Sequence, residues 1–366
     1  MSLSPVVAQS AIGLGSAACL LLAAQLVVRK AVRLAKFYGL SEAVLGLTVV
    51  SLGTSLPEIA SHVVASGQIL LGVGDPRVLS ATVLGANIGS DVVQQTLVLG
   101  IVVIAVGGFQ FSPAFLRRGY APMIGTTLLT LLLAWDGLLS RLDGVVLLSV
   151  FAAYTYYLFT TRSEILQAQG PGRPSERPRR DLLVALVALA VVVLSAHVLF
   201  QAVDVVVGRT GLAGSMVGVV VLGVGAASPE LTTALVGLRE GAEGLSLGTL
   251  IGSNITNPLL GIGLGSLLST YHVPAPLVYW DLPVETATAA LLLTYLLTKD
   301  DVGRCVAELS GRLRLDSVRT RFLAVEERRL GRVGAALLIA LYFLYLYVRL
   351  TRFGEDFPGG AAAVFV

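Results

Sequence analysis

Two short patterns carry the residues able to do chemistry. Gly46-Leu-Thr-Val-Val-Ser-Leu-Gly-Thr-Ser-Leu-Pro-Glu58 recurs, 172 positions on, as Gly218-Val-Val-Val-Leu-Gly-Val-Gly-Ala-Ala-Ser-Pro-Glu230. Each ends in Pro-Glu inside an apolar run. After each comes a Gly-Ser run, Gly85-Ala-Asn-Ile-Gly-Ser-Asp91 in one case and Gly248-Thr-Leu-Ile-Gly-Ser-Asn254 in the other. A helix interrupted by Pro57 or Pro229 loses a backbone donor and frees carbonyls one turn back, near Gly53 and Gly225. Two carboxylates, freed carbonyls and the hydroxyls of Ser90 and Ser253 make an oxygen-only donor set. Such a set suits a hard cation such as Ca2+, which takes about 6–8 oxygens. The sequence has no His/Cys grouping that would favour zinc or copper.

The elements that must position these residues are membrane helices. Hydrophobic residues make up 55% of the 366 positions and charged residues 13%, where a soluble domain carries about 25% charged. Mean hydropathy is +0.82. Apolar segments fall at about 5–28, 41–66, 78–107, 119–134, 142–161, 182–207, 212–238, 245–270, 279–298 and 333–350. Their lengths suit an all-α chain of ten transmembrane helices, because lipid satisfies no open backbone. The first run lacks a basic leader and is read as a retained helix rather than a signal peptide. Forty glycines fit close helix packing. With the N-terminus outside, 21 of the 26 basic residues fall on inward connectors, and only Arg77, Arg141, Arg209, Arg349 and Arg352 on the other side. Both termini are therefore expected to be extracytoplasmic, in a multi-pass protein of the cell membrane.

Five helices per half is an odd number, so the halves 1–161 and 182–366 are expected as inverted repeats, with a site at the midplane between them. The connector 162–181, rich in Pro, Gly and Arg, reads as a flexible cytoplasmic hinge. Apolar residues at helical spacing among arginines make about 299–332 an amphipathic segment on the inner surface. Cys19 and Cys305 imply no disulfide framework, and scattered loop arginines exclude a nucleic-acid face.

A carboxylate at the bilayer centre costs on the order of 2.5–3.5 kcal/mol by insertion scales, so Glu58 and Glu230 need a purpose or a buried basic partner. No Lys or Arg is expected to lie within a span to pair with them. Asp91 follows Ser90 about 100° round the helix. It is either a further acid at the ion or a partner for polar groups such as Gln95. His62, one turn after Glu58, has Ala234 as its counterpart and reads as a hydrogen-bonded histidine near a helix end. His197, His272, Asp204 and Asp281 read as ordinary residues near span ends.

Taken together, Gly53-Thr-Ser-Leu-Pro-Glu58 with Gly89-Ser90, and Gly225-Ala-Ala-Ser-Pro-Glu230 with Gly252-Ser-Asn254, resemble the motifs of the cation/calcium exchanger superfamily, which includes sodium/calcium exchangers. Strict matching covers about 30 residues, and the ten-helix layout extends over the chain. The resemblance implies a Ca2+ antiporter with alternating access, its first and sixth helices sliding across an eight-helix core. By position, Thr54, Ser55 and Glu58 match the first-repeat ligands, Ser90 the next helix's hydroxyl, and Glu230 and Ser253 their second-repeat partners. Backbone carbonyls near Ser51 and Gly223 match two more. Where an Asn or Asp ligand is expected, this chain has Gln94 and Asn257, and Ala226 and Ala227 replace two hydroxyls.

The expectation is thus a secondary antiporter exchanging Ca2+ for Na+ or H+, not an enzyme, with no cofactor and with lipid and inorganic cations as its partners. Alternatives are exchange of Mg2+ or Mn2+, and a cation channel, for which one acidic pair makes a poor pore ring. A hydrolase lacks any nucleophile–base arrangement. Oligomeric state is not legible.

Overall fold

The computed structural model describes residues 5–38, 46–73, 75–160, 175–207, 214–239, 241–312, 329–353 and 356. The chain is overwhelmingly helical. In order come α1 (Pro5–Phe37), α2 (46–70), α3 (Pro76–Val106), the strand β1 (Gly108–Gln110), α4 (113–133), β2 (Leu138–Leu139), α5 (Arg141–Thr160) and α6 (Pro178–Val207). Then follow α7 (Gly214–Arg239), α8 (243–268), β3 (Tyr271–His272), α9 (277–312), β4 (Arg329–Gly331) and α10 (Arg332–Arg352). Among the described residues α3, α7 and α10 are long and apolar enough on their own to cross a bilayer. The strands make two short antiparallel pairs, β1 with β4 and β2 with β3.

Local sequence explains the punctuation. Asp75 caps α3 by accepting from Arg77 N at 2.8 Å, with Pro76 at the first helical position. Gly107, at φ 80°, ends the same helix in a left-handed turn that feeds β1. Among the described residues six π-helical turns interrupt the helices, and they come in pairs: Gly46–Val50 with Gly218–Leu222, Gln94–Val98 with Asn257–Ile262, and Leu116–Tyr120 with Leu277–Asp281. Each half therefore repeats the same departures from α geometry, a feature that concentrates at functional sites.

The core lies on α3 and α8, where Leu84, Ile88 and Val92 meet the same cluster as Leu250, Ile251 and Leu259. Burial there is near complete even for polar side chains, because lipid-facing positions belong to other helices. Helices α1 and α6 instead pair along their length through Ala23, Val27, Ala188 and Val192, a cluster separate from the main core. Their outer faces leave Leu14, Leu22, Leu183 and Leu186 exposed, as a lipid-facing surface would.

Three expectations change. The hinge ends earlier than Asp181: 161–174 lie outside the described residues, but Ser175 N donates to Arg33 O at 3.1 Å, and Asp181, in the first turn of α6, pairs with Lys30 of α1 at 2.5 Å. Residues 299–312, expected as part of a surface helix, continue α9 without a break, and Arg329–Gly331 form a strand; 313–328 lie outside the described residues. A basic side chain is also buried after all. Arg349, placed among the outside arginines by its position near a span end, is fully enclosed, and so is Asp281. Arg349 Nε donates to Asp281 Oδ2 at 3.0 Å, Tyr345 Oη donates to Asp281 Oδ1 at 2.7 Å, and Arg349 Nη2 donates to Ser215 Oγ at 2.5 Å. The pair ties α10 to the starts of α9 and α7.

Candidate functional site

The two Pro-Glu helices break at equivalent residues. In α2 the helix pauses at Ser55 and restarts as Leu56–Leu70; in α7 it pauses at Ala227 and restarts as Ser228–Arg239. The bonds around each pause match. Ser55 N donates to Ser51 O at 2.9 Å and Ile59 N to Ser55 O at 3.0 Å, while Ala227 N donates to Gly223 O and Leu231 N to Ala227 O, both at 3.0 Å. Glu58 and Glu230 thus occupy the first turns of restarted helices, where the positive end of the helix dipole favours a carboxylate. The carbonyls of Ser51 and Gly223, expected as ligands, each accept one backbone bond; Ser51 O takes a second from Thr54 Oγ1, while Gly223 O keeps a lone pair in reserve.

The Gly-Ser helices explain how two halves share one site. A Cβ at Gly89 on α3 would lie 2.6 Å from Val219 Cα of α7, and one at Gly223 would lie 2.7 Å from Gly89 C. Across the molecule, a Cβ at Gly252 on α8 would lie 2.8 Å from Leu47 Cα of α2. Each Gly-Ser helix therefore presses its backbone against the Pro-Glu helix of the opposite half. Only glycine allows such an approach.

Between α3 and α8 the polar side chains form a lattice. Gln94 Nε2 donates to Ser90 Oγ at 3.0 Å, and Gln94 Oε1 accepts from Ser253 Oγ and from Asn254 Nδ2, the latter at 3.1 Å. Gln94, expected as an ion ligand, bonds both serines and so links the two helices. Asn257 Nδ2 donates to Asp91 Oδ1 at 2.8 Å, so Asp91 is held across the repeat boundary by Asn257 rather than by Gln95. Gln95 Nε2 donates to Asn254 Oδ1 at 2.9 Å. The Ser51 hydroxyl donates to Thr48 O at 3.1 Å.

What is left without a partner is the most informative feature. Of ten buried side-chain nitrogen and oxygen atoms with no hydrogen bond among the described residues, six belong to Ser55, Glu58, Glu230 and Asn257. They include all four carboxylate oxygens of Glu58 and Glu230, which are near enough to repel one another. Thr54 lies beside Glu230, within electrostatic reach but outside hydrogen-bond geometry, and its hydroxyl donates to Ser51 O at 3.3 Å. Ala226 and Ala227, at the matching positions, add no oxygen. An ionised buried carboxylate with no compensating charge costs several kcal/mol, so this pair demands a cation or protons. Among the described residues no three His, Cys, Asp or Glu side chains gather as a metal cluster. Two carboxylates plus neutral oxygens are what the centre has.

His62 is buried and fully bonded. Asn87 Nδ2 donates to His62 Nε2 at 3.0 Å, which leaves the proton on Nδ1, 3.3 Å from Tyr271 Oη. Tyr271 Oη in turn donates to His62 O at 3.0 Å, and Ser66 Oγ lies 2.8 Å from the same hydroxyl. The expected hydrogen-bonded histidine is therefore a clamp joining α2, α3 and β3. His197 and Asp204 lie in a helix stretch whose side chains are not described.

One acid escaped sequence reading. Glu285, in the first turn of the α-helical part of α9, is buried, accepts from Thr127 Oγ1 at 2.8 Å and from Gln95 Nε2 at 3.4 Å, and faces Asp91. A carboxylate within an apolar run was the available signal.

Comparison with known proteins adds the following. A family described as sodium/calcium exchanger protein matches residues 10–160 and 181–351. The inner membrane protein YrbG of Escherichia coli is 30% identical over 258 residues, covering 67% of this chain and 75% of that one. The sodium/calcium exchanger MaX1 of Methanosarcina acetivorans is 25% identical, covering 76% and 88%. The structure of the sodium/calcium exchanger from Methanococcus jannaschii superposes with a TM-score of 0.66 at 22% identity, covering 93% of this chain and 98% of that one. That likeness is one of fold.

Proposed function

The chain belongs to the sodium/calcium exchanger protein family, a family of multi-pass membrane transporters, and we propose that it is a Ca2+ antiporter. In this reading Ca2+ and a monovalent counter-ion bind alternately between Glu58 and Glu230. The observation that carries it is the set of four buried, unpartnered carboxylate oxygens on two matching helix breaks. Ser55 Oγ and Asn257 Oδ1 are unpartnered as well, and Thr54, Ser51 O and Gly223 O stand nearby along the same helices. With the remaining lone pair of Gly223 O, the centre approaches the about 6–8 oxygens that Ca2+ prefers. Ser90 and Ser253, clasped by Gln94, set the spacing of the two Gly-Ser helices behind the ligands.

The charge count gives exchange its logic. Ca2+ neutralises two carboxylates, and so do two monovalent cations or two protons; the empty doubly charged centre is the costly state. A carrier whose loaded forms are neutral and whose empty form is charged crosses only when loaded. Ten spans in two inverted five-helix halves, with both termini extracytoplasmic, would place this centre at the midplane. The α1–α6 pair, packed apart from the main core, supplies the sliding element.

The test is 45Ca2+ uptake into proteoliposomes under an outward Na+ gradient or with an acidic interior and no Na+. Wild-type uptake under at least one gradient is expected, and Glu58→Gln and Glu230→Gln should fall to the level of empty liposomes. Wild-type uptake indistinguishable from Glu58→Gln under both gradients sinks the reading.

A further inference from the structure

Glu285 is the acid with no role in the centre just described. Its carboxylate is buried, and its partners among the described residues are two neutral donors, Thr127 Oγ1 from α4 and Gln95 Nε2 from α3. Asp91 of α3 lies within electrostatic reach and is likewise bonded only to a neutral donor, Asn257 Nδ2. On its own helix the nearest acid is Asp281, which Arg349 and Tyr345 already engage. Glu58 and Glu230 act on Asp91 from α2 and α7. Among the described residues no basic side chain compensates Glu285.

Two further oxygens point to a ligand. Gln95 Oε1 and Asn257 Oδ1 are both buried and both lack any partner. Each sits on an amide whose nitrogen is hydrogen-bonded to one of these two acids, so both open oxygens belong to the residues that hold Asp91 and Glu285. The free oxygens are too few for Ca2+, given its need for about 6–8. One oxygen of each carboxylate is already engaged, which leaves room for a smaller demand.

We propose that Glu285, Thr127, Gln95 and Asp91 form a second site, adjoining the Glu58–Glu230 centre, that holds one monovalent cation during exchange. The proposal rests on the antiporter reading and deepens it. Two monovalent cations balance the two glutamates; a third exchanged for the same Ca2+ would add one excess positive charge, which a third acid in the same low-dielectric interior cancels. Asn257 is neutral where an acid would otherwise serve, and Glu285 brings that charge from a different helix. The cation's source, Na+ or a proton, is separable by experiment.

The experiment compares two fluxes in proteoliposomes. Ca2+/Ca2+ self-exchange needs no monovalent ion, whereas net 45Ca2+ uptake does. Glu285→Gln keeps the side-chain size and the acceptor for Thr127 but removes the charge. It is expected to retain self-exchange within about twofold while the half-saturating monovalent concentration rises about tenfold or more, a split that a general structural defect does not give. A Na+ titration at fixed pH and a pH titration without Na+ show which cation moves. Thr127→Val, which leaves the charge and removes its 2.8 Å donor, should shift the same arm by a smaller factor, and it decides the matter if Glu285→Gln is not recovered folded. Unchanged monovalent dependence, or an equal fall in both fluxes, overturns the second site. Absence of self-exchange in the wild type would instead sink the antiporter reading.

Discussion

The Asp281–Arg349 pair gives the sharpest quantitative expectation. Both side chains are completely enclosed, and their 3.0 Å contact joins α9 to α10. Arg349→Met leaves Asp281 with Tyr345 as its hydrogen-bond partner and with the Asp356 charge nearby. Breaking a buried pair from one side costs about 3–5 kcal/mol, because the remaining charge has no partner. Asp281→Asn strands Arg349 in the same way, with Ser215 Oγ and Phe353 O as neutral acceptors. In the double variant no charge is stranded; the amide oxygen at 281 still accepts from Tyr345, and what is lost is the Arg349 bonds to Ser215 Oγ and Phe353 O, about 1 kcal/mol each. The singles should therefore sum to about 8 kcal/mol and the double come to about 2, a coupling of about 6 kcal/mol. Trp280 reports on this region, since it stacks on Tyr345 at 6.3 Å and on Phe353 at 5.4 Å. Unfolding by SDS titration in mixed micelles, followed by its fluorescence in a Trp135→Phe background, measures the cycle. If the two single effects add to within about 0.5 kcal/mol, the pair is not acting as a unit and the reasoning fails.

Two other expectations follow from packing and charge. Gly89→Ala puts a methyl 2.6 Å from the Val219 backbone, where no flexible side chain can yield; it should destabilise by about 1–3 kcal/mol, toward the upper end. Gly225→Ala, with nothing within 4 Å of the new methyl, should by the same unfolding assay be neutral or stabilising by up to about 1 kcal/mol. At the α1–α6 contact, hydrogen bonds from Lys30 and Ser175 hold the Asp181 carboxyl below its ordinary value. Its contribution is present above the unfolded carboxylate value of about 3.9 and is lost as pH falls through the lowered folded value. Lys30→Met should thus reduce stability by less than about 1 kcal/mol across neutral pH, and the gap to wild type should close in acid. A gap that instead widens below pH 4 would contradict this.

The parts legible from sequence were those written twice. Pro57-Glu58 and Pro229-Glu230 share an offset of 172, Gly89-Ser90 and Gly252-Ser253 one of 163, and each pair makes the other improbable as chance. The structure puts the breaks at the equivalent residues Ser55 and Ala227. Single-copy features were harder. Arg349 lies close to the end of an apolar run, a position that normally lets an arginine reach the interface; only the fold shows that α7 and α9 enclose it. Glu285 has Ile124 at the matching position of the first half, taking the 161-residue offset of the π-helical turns that precede both. Self-comparison therefore returned no signal for it.

Those π turns also explain why side-chain directions went astray where element types did not. Counting at 3.6 residues per turn assumes about 100° per residue. A π turn inserts an extra residue, and every position beyond it rotates relative to the count. Gln94–Val98 begins three residues after Asp91, Asn257–Ile262 begins at a residue expected to be a ligand, and Leu277–Asp281 ends four residues before Glu285. A count at 3.6 residues per turn therefore misplaces side-chain directions at and beyond these turns, where Gln94, Gln95, Asn257 and Glu285 lie. The failure is local and directional. The Glu58–Glu230 centre follows a matched pair of π turns, Gly46–Val50 and Gly218–Leu222, and stays symmetric, whereas Gln95, Asn257 and Glu285 lie at or beyond the others and form an asymmetric layer. Straightening one π turn by deleting a single residue, for instance Leu97, should rotate the α10-facing positions of α3 beyond it while sparing Ser90. Its effect should fall on the Glu285 layer before it reaches the two glutamates.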